Sequence, residues 1–196
     1  MSEPRLSEPH AASSPALLDV AGLARHFPVR GFLNRKVGTL RALDDVSFSV
    51  RKGEVLGIVG ESGCGKSTLG KTLMGIHQPT QGEVRLAGER IASPGQKRAA
   101  AVRAQLQYVY QDPGASLDPR WTLRRSLHEP LIIHTDWPPA KREEHVQAIV
   151  KAVGLPEAHL DLYPHEISGG QQRRVGLARI LVLGPQLIIF DEPTSG

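Results

Sequence analysis

A single cysteine, Cys64, stands among 196 residues, so no internal disulfide can staple this chain. That fits a reducing compartment. Long apolar runs are missing too. No stretch approaches the ~20 apolar residues of a bilayer-spanning helix, so any membrane role must come through a partner. Residues 1–17 are rich in Ser, Pro, Glu and Ala and have no apolar central segment. They read as a disordered tail and not as a signal peptide. Internal repeats and sustained heptads are absent, and neither sign of charge dominates. The 24 Lys and Arg face 20 Asp and Glu, for a formal net charge of +4. Small basic clusters at Arg30, Arg35, Lys36 and Arg41, and at Lys97, Arg98 and Arg103, are scattered along the chain. That scatter favours a solvated surface over a nucleic-acid patch. What remains is a chain long enough for one domain with a substantial core.

Against this background one string stands out. Gly60-Glu61-Ser62-Gly63-Cys64-Gly65-Lys66-Ser67 matches the phosphate-cradling pattern G-x-x-x-x-G-K-[ST] in full. The apolar run Val55-Leu56-Gly57-Ile58-Val59 before it reads as a buried strand, and the stretch from Ser67 and Thr68 onward continues as a helix. The glycines let the backbone curl until successive N–H groups converge on phosphate oxygens. The helix N-terminus adds partial positive charge. Lys66 supplies a full charge toward the β- and γ-phosphates, and the Ser67 hydroxyl is placed to ligate Mg²⁺. Cys64 fits the loop as a small side chain. The string predicts a nucleoside triphosphate ligand.

Strand and helix patterns alternate around the loop. Residues 18–27 suggest a short strand, followed by a polar insert over 29–39. Val46, Phe48 and Val50 alternate with Ser47 and Ser49 as in a half-buried strand. A strand is expected over 83–86, closed by Gly88, then a helix over 97–104 and a strand over 106–110. Helical spacing dominates 123–153, interrupted at Trp137-Pro138-Pro139, and a further helix is expected over 171–183. Leu187-Ile188-Ile189-Phe190 is a continuous apolar run of the kind found in central parallel strands covered on both faces. The expected fold class is α/β: a P-loop NTPase core with a mainly parallel sheet, an N-terminal antiparallel β portion and an inserted helical subdomain at about 115–183.

Two further motifs complete the set. The apolar strand ends in Asp191-Glu192, which places carboxylates in the crevice beyond the carboxyl end of a parallel strand. Asp191 is positioned to hold Mg²⁺, directly or through its water. Glu192 is positioned to accept a proton from the water attacking the γ-phosphate. Ile167-Ser168-Gly169-Gly170-Gln171 precedes a predicted helix, with Ser168 as N-cap and two glycines opening the backbone to an anion. One loop already cradles one triphosphate, so this second anion site implies another nucleotide or another subunit.

Taken together, these motifs in this order resemble the nucleotide-binding subunits of ABC transporters, from about residue 18 to the end. Ile167 to Gln171 looks like the family's signature sequence, with Ile167 in place of the usual Leu. Gln111 matches the family's Q-loop glutamine, which the resemblance assigns to Mg²⁺, the attacking water and the transmembrane subunits. Phe27 is the candidate for the aromatic that stacks on adenine. The insert after His26-Phe27-Pro28, the string from Gly60 to Leu69, Gln111-Asp112-Pro113 with Ala115-Ser116-Leu117-Asp118-Pro119-Arg120, and Tyr163-Pro164-His165-Glu166 resemble the dipeptide and oligopeptide importer ATPases. Nickel and glutathione importers share much of this wording.

The resemblance implies an ATP-hydrolysing subunit with ATP and Mg²⁺, on residues 18–196. Its implied partners are a second nucleotide-binding domain and transmembrane permease subunits, with an extracytoplasmic peptide-binding protein reached indirectly and no nucleic acid. The implied location is peripheral, at the cytoplasmic face of the inner membrane. Lys66, Gln111 and Glu192 are the expected catalytic groups, and Ser67, Gln111 and Asp191 the expected metal-holding ones. The chain stops at Gly196, where the family's D-loop continues and before its switch histidine, so it reads as a fragment of a longer product. His165 precedes the signature and is not that histidine. Two rival readings are a soluble ABC-type ATPase acting on nucleic acid or ribosomes, and a nucleotide-binding fragment without turnover.

Overall fold

Alternating apolar residues from Leu18 onward build a four-stranded antiparallel sheet in spatial order β2-β1-β3-β4. Its strands are β1 (Leu18–Arg30), β2 (Lys36–Val50), β3 (Gln81–Leu86) and β4 (Glu89–Ala92). The computed structural model describes residues 16–31, 35–96, 100–110 and 113–191. Leu18 pairs with Val50 on one side and Leu86 on the other, and Val20 with Phe48 and Val84. This register turns Leu18, Val20, Leu23, Val84 and Leu86 into one buried face. The polar insert is not a break between elements, because β1 and β2 form one long hairpin that spans most of it. Strand β4 was not expected beyond Gly88.

A second, parallel pair consists of β5 (Leu106–Val109) and β6 (Leu187–Phe190), with Tyr108 opposite Ile189. Helix α1 (Lys66–Leu73) and helix α2 (Ala100–Gln105) accompany these strands. Leu69 and Leu73 of α1 and Leu106 of β5 join the core beneath the antiparallel sheet, with Leu187 and Ile189 packed against it.

Two expectations are corrected here. Residues Val55 to Val59 form no strand, and Val55 and Val59 are 95% and 93% exposed. Strand β6 is not covered on both faces either, since Leu187, Ile188 and Ile189 are only partly buried and Phe190 is exposed. The physical reason is common to both. A strand exists through hydrogen bonds to a neighbour, and among the described residues nothing pairs with residues 55–59 or with the second edge of β6.

The remaining helices are α3 (Leu123–His134), α4 (Pro139–Ala152) and α5 (Gly169–Leu181). Thr122 caps α3 by accepting from the Arg125 N–H, and Pro139 opens α4 where its missing N–H is harmless. They surround an apolar cluster of their own, centred on Leu123, Leu127, Leu131, Val146, Leu160 and Val175. Helix α5 packs closely on the turn after Pro113. A Cβ at Gly176 would stand 2.4 Å from the Pro113 carbonyl oxygen, so only glycine permits that approach.

Arg124 clamps the helices together. It donates to both Asp161 carboxylate oxygens, at 2.9 and 3.1 Å, and to Glu143, which also meets the His128 ring. The guanidinium holds the Asp161 carboxyl below its ordinary value of 3.8. A folded-state pKa below the unfolded one stabilises the fold above that ordinary value, and the contribution is lost as pH falls through the depressed value. Asp44 and Asp118, beside Arg41 and Arg120, are shifted the same way. The melting midpoint is therefore expected to fall as pH drops below 3.8. An Arg124→Gln variant should melt a few degrees lower at neutral pH, the modest effect of a solvent-exposed clamp. Its acid decline should be shallower than that of the parent. Circular dichroism melts across pH check both.

Candidate functional site

The phosphate loop gets its shape from three local causes. Gly63 and Gly65 adopt φ of 83° and 103°, a region that residues with a Cβ rarely enter. Gly65 also lies so close to β2 that a Cβ there would stand 2.4 Å from the Ala42 carbonyl oxygen. Behind it α1 begins at Lys66 with no side-chain cap and no acidic residue in its first turn. Its first N–H groups are therefore left to an external anion. Lys66 Nζ donates to the carbonyls of Gly60 and Glu61, both at 2.8 Å, and so ties the start of the loop to its end. Ser62 and Cys64 lie exposed on this loop, and Thr68 accepts through its carbonyl from Thr72 inside α1.

Folding then brings Asp191 to this loop from 124 positions away. The Ser67 hydroxyl donates to Asp191 Oδ1 at 3.2 Å. The backbone N–H of Asp191 donates to the Val109 carbonyl at 3.1 Å, continuing the β5–β6 pairing by one residue. A hydroxyl and a carboxylate side by side are hard oxygen donors, the set suited to Mg²⁺ and unsuited to softer metals. No group of three or more His, Cys, Asp or Glu able to hold a metal occurs among the described residues. A Mg²⁺ ion here would thus complete its shell with phosphate oxygens and water.

A residue that sequence reasoning missed completes the arrangement. The Tyr108 hydroxyl donates to Asp191 Oδ2 at 2.6 Å. Burial first, and then this hydrogen bond, push the Tyr108 phenol well above its ordinary range, so it stays protonated as a donor. The available signal was a tyrosine between Gln107 and Val109 in a strand expected to be largely buried, because a buried phenol needs a polar partner.

The other expected residues within the described range make no hydrogen bond to this cluster. Ser168 caps α5 reciprocally: its Oγ accepts from the Gln171 N–H at 3.3 Å, and Gln171 Oε1 accepts from the Ser168 N–H at 2.8 Å. Gly169 and Gly170 are exposed, and a Cβ on either would meet nothing within 4 Å, so the face is open. No hydrogen bond or ion pair links 168–171 to 60–68 among the described residues. Phe27 on β1 is half-buried, with the Arg25 guanidinium 4.4 Å over its ring and the His77 ring edge-on at 5.3 Å. Arg25 thus occupies one of the two faces on which a base could stack. Burial, followed by Arg25 and Lys71, lowers the His77 pKa. Gln111 and Glu192 lie outside the described residues.

Residues 43–195 match the family model described as ABC transporter. The chain belongs to this family. Among ABC proteins it is similar to the oligopeptide transport ATP-binding protein AppF of Bacillus subtilis. The two are 46% identical over 187 residues, covering 94% of this chain and 57% of that protein. It is also similar to the dipeptide transport ATP-binding protein DppF of Haemophilus influenzae, at 43% identity over 91% of this chain and 55% of that protein. The chain spans about half the length of these curated relatives. Solved structures give the same family. The ATP-binding cassette MJ0796, dimeric and bound to ADP and Pi, superposes with a TM-score of 0.74 at 26% identity, covering 91% of this chain and 75% of that one. CbiO1 from Clostridium perfringens gives 0.73 at 26% identity, covering 92% and 67%.

Proposed function

We propose that this chain is the nucleotide-binding part of an ATPase subunit that powers uptake of dipeptides or oligopeptides by an ABC importer. The observation carrying the nucleotide reading is the 3.2 Å contact between Ser67 of the phosphate loop and Asp191 at the end of β6. Two strings far apart in sequence form one oxygen-lined corner beside an uncapped helix N-terminus. The peptide cargo rests on the names of the relatives, of which AppF and DppF are examples.

In this reading the triphosphate lies along Gly60 to Ser67, held by main-chain N–H groups and by Lys66. The ammonium exchanges its two carbonyl partners for phosphate oxygens. Ser67 and Asp191 would hold Mg²⁺, to which the family resemblance also assigns Gln111, and the ion would supply neutralisation of charge developing on the phosphates. Glu192 takes the proton of the attacking water. Phe27 is the aromatic assigned to the adenine. Ser168, Gly169, Gly170 and Gln171 serve the nucleotide of a second domain, docked head-to-tail by two-fold symmetry. The lack of any hydrogen bond to this chain's own loop among the described residues, and their open face, support that role. The domain covers 18–196 with a helical subdomain at about 115–183, and it sits at the cytoplasmic face of the membrane against permease subunits. No helix among the described residues is long and apolar enough to cross a membrane.

Calorimetry with Mg-nucleotide tests the first half of this reading and copurification the second. Saturable heat and recovery with membrane subunits are the expected results. Recovery with RNA or DNA favours the soluble ATPase, and binding without phosphate release favours a fragment lacking turnover.

A further inference from the structure

Only one carboxylate oxygen of Asp191 faces the phosphate loop. The other, Oδ2, takes the hydrogen bond from Tyr108. Tyr108 is 7% exposed on β5, directly opposite Ile189 of β6, the strand that immediately precedes Asp191. Its ring lies against α1. A Cβ at Gly70 would stand 2.8 Å from Tyr108 Cε2 and 3.3 Å from its hydroxyl oxygen. Glycine inside a helix costs about 0.5–1 kcal/mol relative to alanine. Helix α1 carries one where the phenol needs the room. A strand and a helix are thus both shaped around a single hydroxyl aimed at Asp191.

We infer that Tyr108 is a positioning residue for the magnesium corner: its hydroxyl fixes Asp191 Oδ2, which turns Oδ1 toward Ser67 and presets the pair that receives the ion. This inference rests on the reading of Ser67 and Asp191 given above and deepens it. A carboxylate free at both oxygens rotates about its Cβ–Cγ bond. A donor on one oxygen, with the backbone pinned by the Val109 carbonyl, leaves the other with a defined direction. Outer partners of this kind are worth about 10–100-fold in metal affinity. Among the described residues the hydroxyl donates to Asp191 and to no group of the loop, so its effect passes through Asp191.

The test compares the 196-residue chain with a Tyr108→Phe variant, which removes one oxygen and keeps the ring. Anisotropy of a fluorescent ATP analogue gives Kd in excess Mg²⁺ and in EDTA, and their ratio is the magnesium-linked gain. The expected result is an unchanged Kd in EDTA and a gain reduced about tenfold. In an Asp191→Asn background, Tyr108→Phe should cause no further loss, as a double-mutant cycle requires of groups acting through one another. Should Tyr108→Phe fail to fold, Gly70→Ala decides by the same ratio, because its methyl displaces the phenol. A gain retained in full overturns the inference and leaves the nucleotide reading standing. Equal losses in Mg²⁺ and EDTA reduce Tyr108 to packing and overturn it as well. A parent chain without saturable binding overturns the nucleotide reading and this inference together.

Discussion

A Lys66→Ala chain is expected to bind Mg-nucleotide about 100- to 1,000-fold more weakly than the parent, with little change in melting midpoint. The magnitude follows from the type of bond lost. A charge-assisted hydrogen bond to phosphate is roughly twice as strong as a neutral one, and removing one partner of a desolvated charge pair costs about 2–5 kcal/mol. At ~1.4 kcal/mol per decade this range is about 1.5 to 3.5 orders of magnitude in Kd, and its middle gives the expected loss. Lys66 has a second task in this structure, since its ammonium ties the Gly60 and Glu61 carbonyls across the loop. Alanine loses both the charge and the tie. Calorimetry on the two chains decides, and equal affinities would remove the phosphate loop from the account altogether.

Glu192→Gln is expected to lower phosphate release about 10²–10⁴-fold, the usual contribution of a positioned general base. Binding should persist, because the amide keeps the shape of the carboxylate while losing its basicity. Measured on the assembled transporter, this combination would trap the nucleotide-bound, closed state. Turnover at the parent rate would exclude Glu192 as the base. The magnesium corner would be untouched by that outcome, since it depends on Asp191 and Ser67.

The helices and the capped turn were legible because their signals are local. Thr122 before Leu123 and Ser168 three residues before Gln171 satisfy backbone groups within a few positions, and Pro139 in a first helical turn brings no N–H to satisfy. The stretch from Val55 to Val59 shows the opposite case. Its apolar run reads as a strand, yet strand formation needs a neighbour that the run itself does not contain, and its side chains stand exposed. Leu187 to Phe190 were correctly read as a strand parallel to another, while their burial on both faces was not realised.

The sequence by itself determined the chemistry on offer: a glycine loop with a lysine and a serine, a carboxylate after an apolar strand, and a serine-glycine turn opening a helix. Those follow from residue types at fixed short spacings. Tertiary structure alone decided which of them meet. It set Ser67 against Asp191 and supplied Tyr108 as the partner of the remaining oxygen. Contacts across 83 or 124 positions depend on strand register and on the room left at Gly70, which no short window of sequence contains.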